Sequence, residues 1–313
     1  MERKKIVVAL GRSAFGETFP EQRINVKRAA NTIADLVESG YLPVITHSNG
    51  QQIGMVHTAM REFSKLDPKY TVAPMSLCGA MSQGYIGYDL QNAIRTELLN
   101  RGIYLPVSTI ITQVKVDPFD KAFSHPSKII GRKMTKEEAS IEEKKGNYVV
   151  EKEDGWYRIV AAPKPLDIYE IDAVKALLHA EQIVIAGGGG GIPVLEQATI
   201  LKGASAVIEK DWTAARLAEL IDAEVLIFLT GVKKVALYYG TPEQKELDTI
   251  TTTQAETYIK EGYFSKGAML PKIEAAISFV TAGKNRKAII TKMEHPIDGL
   301  MGQTGTTIVT KGV

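Results

Sequence analysis

The chain has 313 residues, of which 44% are hydrophobic and 24% are charged, and these are ordinary proportions for a globular protein. Lys and Arg number 38 against 36 Asp and Glu, so the formal net charge is +2, which gives no support to a nucleic-acid-binding surface. The single cysteine, Cys78, excludes an intrachain disulfide and fits a reducing cytoplasm. No apolar run approaches the roughly 18 residues of a membrane span, so no membrane partner is expected.

The first part of the chain predicts a parallel β-α-β unit. Ile6–Leu10 is a continuous apolar run that ends at Gly11, as in strands buried on both faces. Apolar residues from 26 to 37 then recur at helical spacing, Gly40 ends that helix, and 42–46 is the next strand. Further helices are predicted over about 52–65 and 80–100, and a long β-branched strand over 107–116.

Residues 117–161 are polar and highly charged, and they differ from the segments on either side. A short helix is predicted over about 136–145. Strands 149–152 and 156–160 flank Asp154-Gly155, which is a good hairpin signal. We interpret residues 117–161 as an inserted lid subdomain over a cleft, with a purely decorative surface excursion as the alternative.

The five consecutive glycines Gly187–Gly191 follow a short apolar strand at 183–186. Backbone N–H groups without covering side chains suit an anion such as a phosphate. The pattern is not the dinucleotide fingerprint, since Ile192 stands where a glycine is needed, and no Gly-Lys-Ser/Thr of a P-loop follows. A flexible hairpin or a helix-capping loop is the alternative.

The second half continues to alternate strands and helices. Strands are predicted at 183–186, 206–208, 225–229, 287–291 and near 306–309, and helices at 213–221, 253–261 and 271–281. This order favours an α/β fold with a mostly parallel sheet covered on both faces. Ligands in such folds bind beyond the carboxyl ends of the strands, where loops start at Gly11, Thr46, Gly187 and Thr230.

Lysines near these strand ends make phosphoryl transfer the chemistry that the residues suit best, because this reaction needs cations and N–H groups around the transferred group. Lys210 and Asp211 follow the predicted strand 206–208, Lys272 stands at a predicted helix start, and Lys128 lies in the insert. The five histidines have no metal-ligand spacing, so no protein metal site is predicted. His47 follows a strand and is either a general base or a structural residue bonded to the loop.

Six stretches of the chain identify a family: Ser82–Tyr88, Thr112–Pro118, Pro163–Ile168, Gly188–Val194, Val207–Asp211 and Pro271–Ala276. In these stretches, and nearly end to end, the chain resembles carbamate kinase, a member of the amino acid kinase superfamily. The resemblance implies one three-layer α/β/α domain over residues 1–313, with a central, mostly parallel sheet of about eight strands and the inserted lid. It also implies a homodimer.

The resemblance implies the reaction ATP + carbamate ⇌ ADP + carbamoyl phosphate with Mg²⁺, often running toward ATP at the end of arginine or purine-derived nitrogen breakdown. By position, Lys210 and Lys272 would hold the phosphoryl group, Asp211 would orient them, and Lys128 would close from the lid. Residues implied at the small substrate are Gly11, Arg12, Ser13, Asn49, Gly50, Gly188, Gly189 and Gly190. Residues implied at the nucleotide are Lys210, Thr230, Gly231, Ala268, Met269 and Lys272.

The ligand loops depart from the family pattern. Arg12-Ser13 replaces Gly-Asn, Gly231 replaces an aspartate, and Leu270 replaces the glycine of Gly-Ser-Met-Gly-Pro-Lys; Ser48 and Gln51 are further changes. Two interpretations follow. The first is a divergent kinase in which Arg12 clamps phosphate. The second is a protein that has lost transfer activity or changed its substrate, and that binds carbamoyl phosphate or nucleotide or acts as a partner subunit. A third possibility is an acyl-phosphate kinase that uses an amino acid carboxylate, which the insert and the glycine run argue against.

Overall fold

The structure is a computed structural model, and it describes residues 3–16, 18–67 and 69–310. Its strands are β1 Lys4–Leu10, β2 Tyr41–His47, β3 Val107–Thr109, β4 Gln113–Val116, β5 Lys128–Met134, β6 Tyr148–Lys152, β7 Gly155–Val160, β8 Pro165–Ile168, β9 Ile183–Ile185, β10 Ile192–Gln197, β11 Ile200–Gly203, β12 Val225–Thr230, β13 Val235–Leu237, β14 Lys245–Leu247, β15 Thr249–Thr251, β16 Lys287–Lys292 and β17 Thr306–Val309. Its helices are α1 Phe19–Glu38, α2 Gly50–Phe63, α3 Met75–Asn100, α4 Lys136–Lys144, α5 Ile171–His179, α6 Lys210–Leu220, α7 Thr252–Lys260, α8 Met269–Thr281 and α9 Pro296–Leu300.

A sheet of eight strands forms the centre of the molecule, in the order β15-β17-β16-β12-β1-β2-β9-β3. Every pairing in it is parallel except that of β16 with β17. Residues Ile6–Leu10 of β1 are all 0% exposed, so both faces of this strand are covered, as its unbroken apolar run predicts. The predicted α/β class with a mostly parallel sheet of about eight strands is confirmed.

Helix α1 illustrates how the sequence sets an element that covers this sheet. Thr18 accepts a hydrogen bond from the Glu21 N–H, while the Glu21 carboxylate accepts one from the Thr18 N–H, which is a capping box. Its buried residues, among them Val26, Ile33 and Val37, recur at helical spacing. Helix α1 packs against α3, and α6 packs against α8.

Four neighbouring strands of the sheet end at the same edge, and this edge positions the candidate site. Strands β12, β1, β2 and β9 lie side by side and parallel, so their carboxyl ends meet. The loops after these strands begin at Gly231, Gly11, Ser48 and Ala186. This edge is where an open parallel sheet binds its ligands.

Residues 117–161, called the insert below, contain a sheet of their own. Strands β5, β7 and β6 form it in that order, and all of its pairings are antiparallel. Helix α4 begins with a capping box between Thr135 and Glu138, and the hairpin of β6 and β7 turns at Asp154-Gly155. Both elements lie close to their predicted positions.

Two strand predictions are wrong. The predicted strand 107–116 is two strands in different sheets, β3 and β4, because the chain turns at Thr112, whose N–H and C=O both bond the Gln83 side chain. Residues 206–208 form no strand but only one bridge, between Ala206 and Ala161. The small sheets β11-β10-β4-β8 and β13-β14 were not anticipated.

Within the described residues, no helix is both long and apolar enough to cross a membrane.

Candidate active site

The five glycines form a tight turn directly after β9. Gly187, Gly189, Gly190 and Gly191 have φ values of +66°, +65°, +89° and +83°, which lie in the left-handed region that side chains disfavour. A short 3₁₀ turn covers Gly188–Gly190. The glycine run is therefore required by the backbone conformation of this turn.

Neighbouring atoms also exclude side chains from the turn. A Cβ at Gly188 would lie 2.2 Å from His47 Nε2, and one at Gly189 would lie 2.1 Å from Asn49 Nδ2. A Cβ at Gly190 would lie 2.1 Å from the Ile208 carbonyl oxygen, and one at Gly191 would lie 2.2 Å from a Val114 methyl carbon. The turn is thus closely packed against three separate segments of the chain, unlike a flexible hairpin.

Polar side chains that sequence reasoning did not single out fix the carbonyl and N–H groups of this turn. Thr46 Oγ1 donates to the Gly187 carbonyl at 2.8 Å, and Thr112 Oγ1 accepts from the Gly187 N–H at 2.9 Å. Gln83 Nε2 donates to the Gly188 carbonyl at 3.0 Å, and Thr213 Oγ1 donates to the Gly190 carbonyl at 2.7 Å. Gln83 and Thr112 lie in stretches that carry the family resemblance, which was the available signal.

His47 packs against Gly188 of the glycine turn. It is 1% exposed, and its Nδ1–H donates to the Ser48 carbonyl at 3.1 Å, since a carbonyl can only accept. Burial, and to a smaller extent the charge of Lys210, lowers its pKa to about 4 although the bond to Ser48 opposes this. A neutral, buried imidazole packed under Gly188 favours the structural role over that of a general base.

Two lysines that are far apart in sequence meet on one buried carboxylate. Asp211 is 4% exposed; Lys210 Nζ donates to its Oδ1, and Lys272 Nζ donates to its Oδ2 at 2.9 Å. Lys210 is the first residue of α6, and Lys272 lies in the first turn of α8. The positive ends of both helix dipoles therefore add to the two ammonium charges.

The electrostatics of this cluster set the charge of each group. Burial alone would raise the pKa of Asp211, but the charges of Lys210 and Lys272 outweigh it, and the pKa is lowered. Burial lowers the pKa of Lys210 despite the attraction of Asp211, and Lys272 lowers it further. Two cations against one carboxylate leave an excess of positive charge, which suits an added anion.

Two cavities each contain one lysine of this cluster in their lining. The glycine-side cavity, of about 230 Å³, is lined by Lys128, Asn49, Gly50, Gly189 and Lys210 among others. The tyrosine-side cavity, of about 580 Å³, is lined by Thr230, Ala268, Met269 and Lys272 together with Tyr238 and Tyr263. Because Asp211 bonds one lysine from each lining, the two cavities adjoin at this carboxylate.

Lys128 of the insert reaches the glycine-side cavity from strand β5. Its Nζ forms an ion pair with the Glu209 carboxylate, and Glu209 directly precedes Lys210. Both residues line the same cavity. The insert is thereby tied to the start of α6 through a group that sequence reasoning did not place in the site.

Several predicted site residues lie near the strand ends but outside both linings: Gly11, Arg12, Ser13, Gly188, Gly190 and Gly231. The Gly11 N–H donates to the Leu229 carbonyl at 2.9 Å, so it is already used. Arg12 and Ser13 are exposed on a short 3₁₀ turn. Gly188 and Gly190 are buried, and their packing serves the turn itself.

Among residues 3–16, 18–67 and 69–310, no group of three or more His, Cys, Asp or Glu side chains is placed to hold a metal ion. Mg²⁺ commonly keeps several waters and binds through one or two carboxylates and substrate phosphates. Asp211, the buried carboxylate at the cluster, is already bonded to two lysines. The donor set therefore fits a magnesium ion carried by phosphates and does not fit a protein cage.

Comparison with known proteins assigns this architecture. The Amino acid kinase family model matches residues 4–292. The chain belongs to the amino acid kinase family. It is 50% identical to the carbamate kinase-like protein YqeA of Escherichia coli, over 97% of this chain and 99% of that protein, and 44% identical to the carbamate kinase of Clostridium perfringens over the same shares.

Solved structures agree with these relatives. The carbamate kinase of Giardia lamblia bound to AMP-PNP superimposes with a TM-score of 0.92 at 34% identity, covering 98% of both chains. Relatives and structure together support a carbamate kinase-like phosphotransferase. They do not favour the alternative of a binder or partner subunit that has lost transfer.

Proposed function

We propose that this amino acid kinase family member transfers a phosphoryl group between ATP and carbamate, giving ADP and carbamoyl phosphate, in the manner that its carbamate kinase relatives suggest. The observation that carries the proposal is the Asp211 carboxylate, bonded by both Lys210 and Lys272 where two cavities adjoin. Phosphoryl transfer needs positioned cations around three equatorial oxygens and little covalent chemistry from the protein. This cluster supplies them.

The two lysines keep their bonds to Asp211 and add bonds to the ligand in the reaction that we propose. Without a ligand they bond Asp211; with one, their remaining N–H groups turn to the phosphoryl oxygens while Asp211 holds their position. The carbamate oxygen forms the new bond to phosphorus as the bond from the γ-phosphorus to the bridging oxygen breaks, and ADP leaves with that electron pair. Burial of Lys210 strengthens its attraction to the phosphoryl charge.

The tyrosine-side cavity is the proposed nucleotide site. Tyr238 and Tyr263 make an edge-to-face pair with ring centroids 4.9 Å apart, and their hydroxyl groups are hydrogen-bonded at 2.8 Å. Aromatic walls suit a purine base, and Lys272 in the same lining suits the phosphates of the nucleotide. The AMP-PNP complex of the Giardia lamblia relative supports a nucleotide ligand.

The glycine-side cavity is the proposed site of the small substrate. Its volume of about 230 Å³ suits a molecule as small as carbamate, which needs few polar contacts. Asn49 lies at its wall and donates to Ser82 Oγ at 2.9 Å, so its amide is held in a fixed orientation. Lys128, now paired with Glu209, would turn to the bound anion as the insert closes.

Magnesium would enter with the nucleotide phosphates, since it neutralises phosphate charge when bound. Three further proposals rest on the resemblance to carbamate kinases: a homodimer, a cytoplasmic location, and a place in nitrogen breakdown that yields ATP. The single cysteine, which is buried and free, agrees with a reducing compartment. Size-exclusion chromatography with light scattering tests the dimer directly.

The decisive assay mixes the protein with carbamoyl phosphate, ADP and Mg²⁺ and measures ATP by a coupled luminescent reaction. We expect ATP from the wild type and at least about a hundredfold less from Lys272→Ala, the loss typical of removing one group that stabilises the transition state. Lys284→Ala, an exposed lysine outside the site, is the matched control and should retain full activity.

Folded wild-type protein that makes no ATP above background would overturn the proposal. A thermal shift with each ligand would then distinguish a binder from an inert scaffold, because a ligand that binds only the native state raises the melting temperature.

A further inference from the structure

A third cavity, of about 350 Å³, lies between the insert and the body of the molecule, beside the glycine-side cavity. Helix α2, the start of α3 and residues 203–205 line one side, and strands β5 and β7 with the end of α4 line the other. The two cavities have Ile53, Met75, Ser76, Ile130 and Gly131 in common. The third cavity is called the arginine cavity below.

Arg158 of β7 is the central cation of the arginine cavity. It is half-buried, and its Nε is fully buried without a hydrogen-bond partner in the described part of the chain. The Nε of Arg61, across the cavity on α2, is buried and unpartnered in the same way. Buried donors without acceptors are costly to keep, and here the two arginines that carry them both line one cavity.

The carboxylate in the lining of the arginine cavity, that of Glu142, already accepts hydrogen bonds from other groups. Glu142 accepts from Lys145 Nζ at 3.1 Å and from Asn147 Nδ2 at 2.7 Å. It attracts Arg158 electrostatically but makes no hydrogen bond with it among the described residues. Arg61 pairs through its Nη2 with the Glu62 carboxylate, and this ion pair does not involve its Nε.

The field inside the cavity is positive. Burial, then the charges of Arg158 and Arg61, lower the pKa of His57, while Glu142 opposes them. The same lining also contains Arg132 and Lys145, whose carboxylate partners are Glu138 and Glu142. Positive charge inside the cavity thus exceeds the negative charge that its own lining supplies.

We propose that the arginine cavity is a second anion site, which binds a small multivalent oxyanion, a phosphate or a short dicarboxylate, through the guanidinium groups of Arg158 and Arg61. A guanidinium presents N–H groups in a fork that matches carboxylate and phosphate oxygens. The site lies outside the Lys210–Asp211–Lys272 cluster, and its existence does not depend on phosphoryl transfer.

The position of Arg158 gives this site a consequence for the neighbouring cavity. Arg158 pairs with Ile130 across β7 and β5, two residues along the strand from Lys128. An anion held by Arg158 on the insert and Arg61 on the body joins the two across the cavity. It thereby fixes the strand that carries Lys128 over the glycine-side cavity, so occupancy of the site favours the closed insert.

Isothermal titration calorimetry of the full chain carrying Lys210→Met tests the site, because this change removes a cation from the neighbouring cluster. Inorganic phosphate and malonate are titrated separately, which distinguishes a phosphate ligand from a dicarboxylate. We expect saturable binding of at least one of them. Adding Arg158→Gln should weaken that binding about tenfold or more, as expected for the loss of a charge-assisted bond.

Arg216→Gln in the same background is the matched control. Arg216 also has a buried, unpartnered Nε, but it lies on α6 and pairs with Glu219 at 3.0 Å, so anion binding should not change. If Arg158→Gln unfolds the protein, Arg61→Gln replaces it and should give the same loss. Absence of binding to the Lys210→Met protein, or binding that survives both arginine changes, overturns the proposal.

Discussion

The glycine turn and the loop after β12 both lie at the ligand edge of the sheet, yet their glycines have different surroundings. At Gly190 an added Cβ would lie 2.1 Å from a backbone oxygen, and φ is +89°. At Gly231 nothing lies within 4 Å of an added Cβ, and the position is exposed. The first glycine is dictated by the fold, and the second is not.

This difference separates changes that alter the fold from changes that alter chemistry. Three of the departures from the carbamate kinase pattern, at Arg12, Ser13 and Gly231, fall where the structure has room. Arg12 and Ser13 are exposed, Gly231 is open, and Leu270 packs against the hydrophobic core. The scaffold of the site tolerates these loops, and their effect is expected on ligand binding.

The largest effect is expected from Gly190→Ala. The new methyl would meet the Ile208 carbonyl oxygen at 2.1 Å with φ at +89°, and neither backbone can move without breaking the turn. We expect the free energy of unfolding to fall by about 3 kcal/mol or more, measured by urea denaturation.

Gly40→Ala is the control that isolates the contact from the backbone strain. Gly40 has φ of +87°, but nothing lies within 4 Å of its added Cβ, so only the left-handed conformation is penalised, by about 1 kcal/mol. Equal losses in the two variants would mean that the turn is not closely packed and would remove the contrast with Gly231.

Much of the fold followed from the sequence because local pattern and burial agree there. The unbroken apolar run Ile6–Leu10 is a strand buried on both faces, and Asp154-Gly155 is a hairpin turn. The strand 107–116 was wrong because its composition does not reveal a turn at Thr112, which depends on Gln83, 29 residues away. Propensity alone carries no information about such a partner.

The site was less accessible to sequence reasoning than the sheet. Lys210 and Lys272 meet on Asp211, across a sequence separation of 61 residues for Lys272, and only the family resemblance suggested this meeting. Glu209 was not singled out because an isolated Glu carries no signal. The arginine cavity was not predicted either, because it depends on how the insert packs against α2.

The second largest effect is a pH dependence that originates at His47, below the glycine turn. Its pKa is about 4 in the folded protein and about 6.5 when exposed. The unfolded chain therefore binds a proton first as the pH falls below 6.5, and stability is lost between pH 6.5 and pH 4. The expected loss by pH 4 is about 3 kcal/mol.

Urea denaturation at several pH values from 7 to 4 measures this loss, and His47→Gln should flatten the profile relative to the wild type. His125→Gln is the control, since His125 is exposed in the insert, and its profile should follow the wild type. A His47→Gln profile as steep as that of the wild type would show that other groups cause the acid sensitivity.

The smallest effect on stability is expected from Gly231→Asp, which restores the acidic residue of the family's Thr-Asp-Val. The position is exposed and open, so the free energy of unfolding should change by no more than about 0.5 kcal/mol.

The same substitution should affect nucleotide binding, because Thr230, the neighbour of Gly231, lines the proposed nucleotide cavity. We expect a carboxylate at position 231 to accept hydrogen bonds from the ribose hydroxyls of ADP, and so to lower the KM for ADP roughly two- to tenfold. Gly231→Ala adds bulk without charge and should leave that KM unchanged, because open space costs the small side chain nothing. If both variants raise the KM alike, the loop needs a glycine at position 231 so that the ligand can approach the backbone. Gly190 and Gly231 would then both be required, the first by the packing of the chain and the second by the ligand.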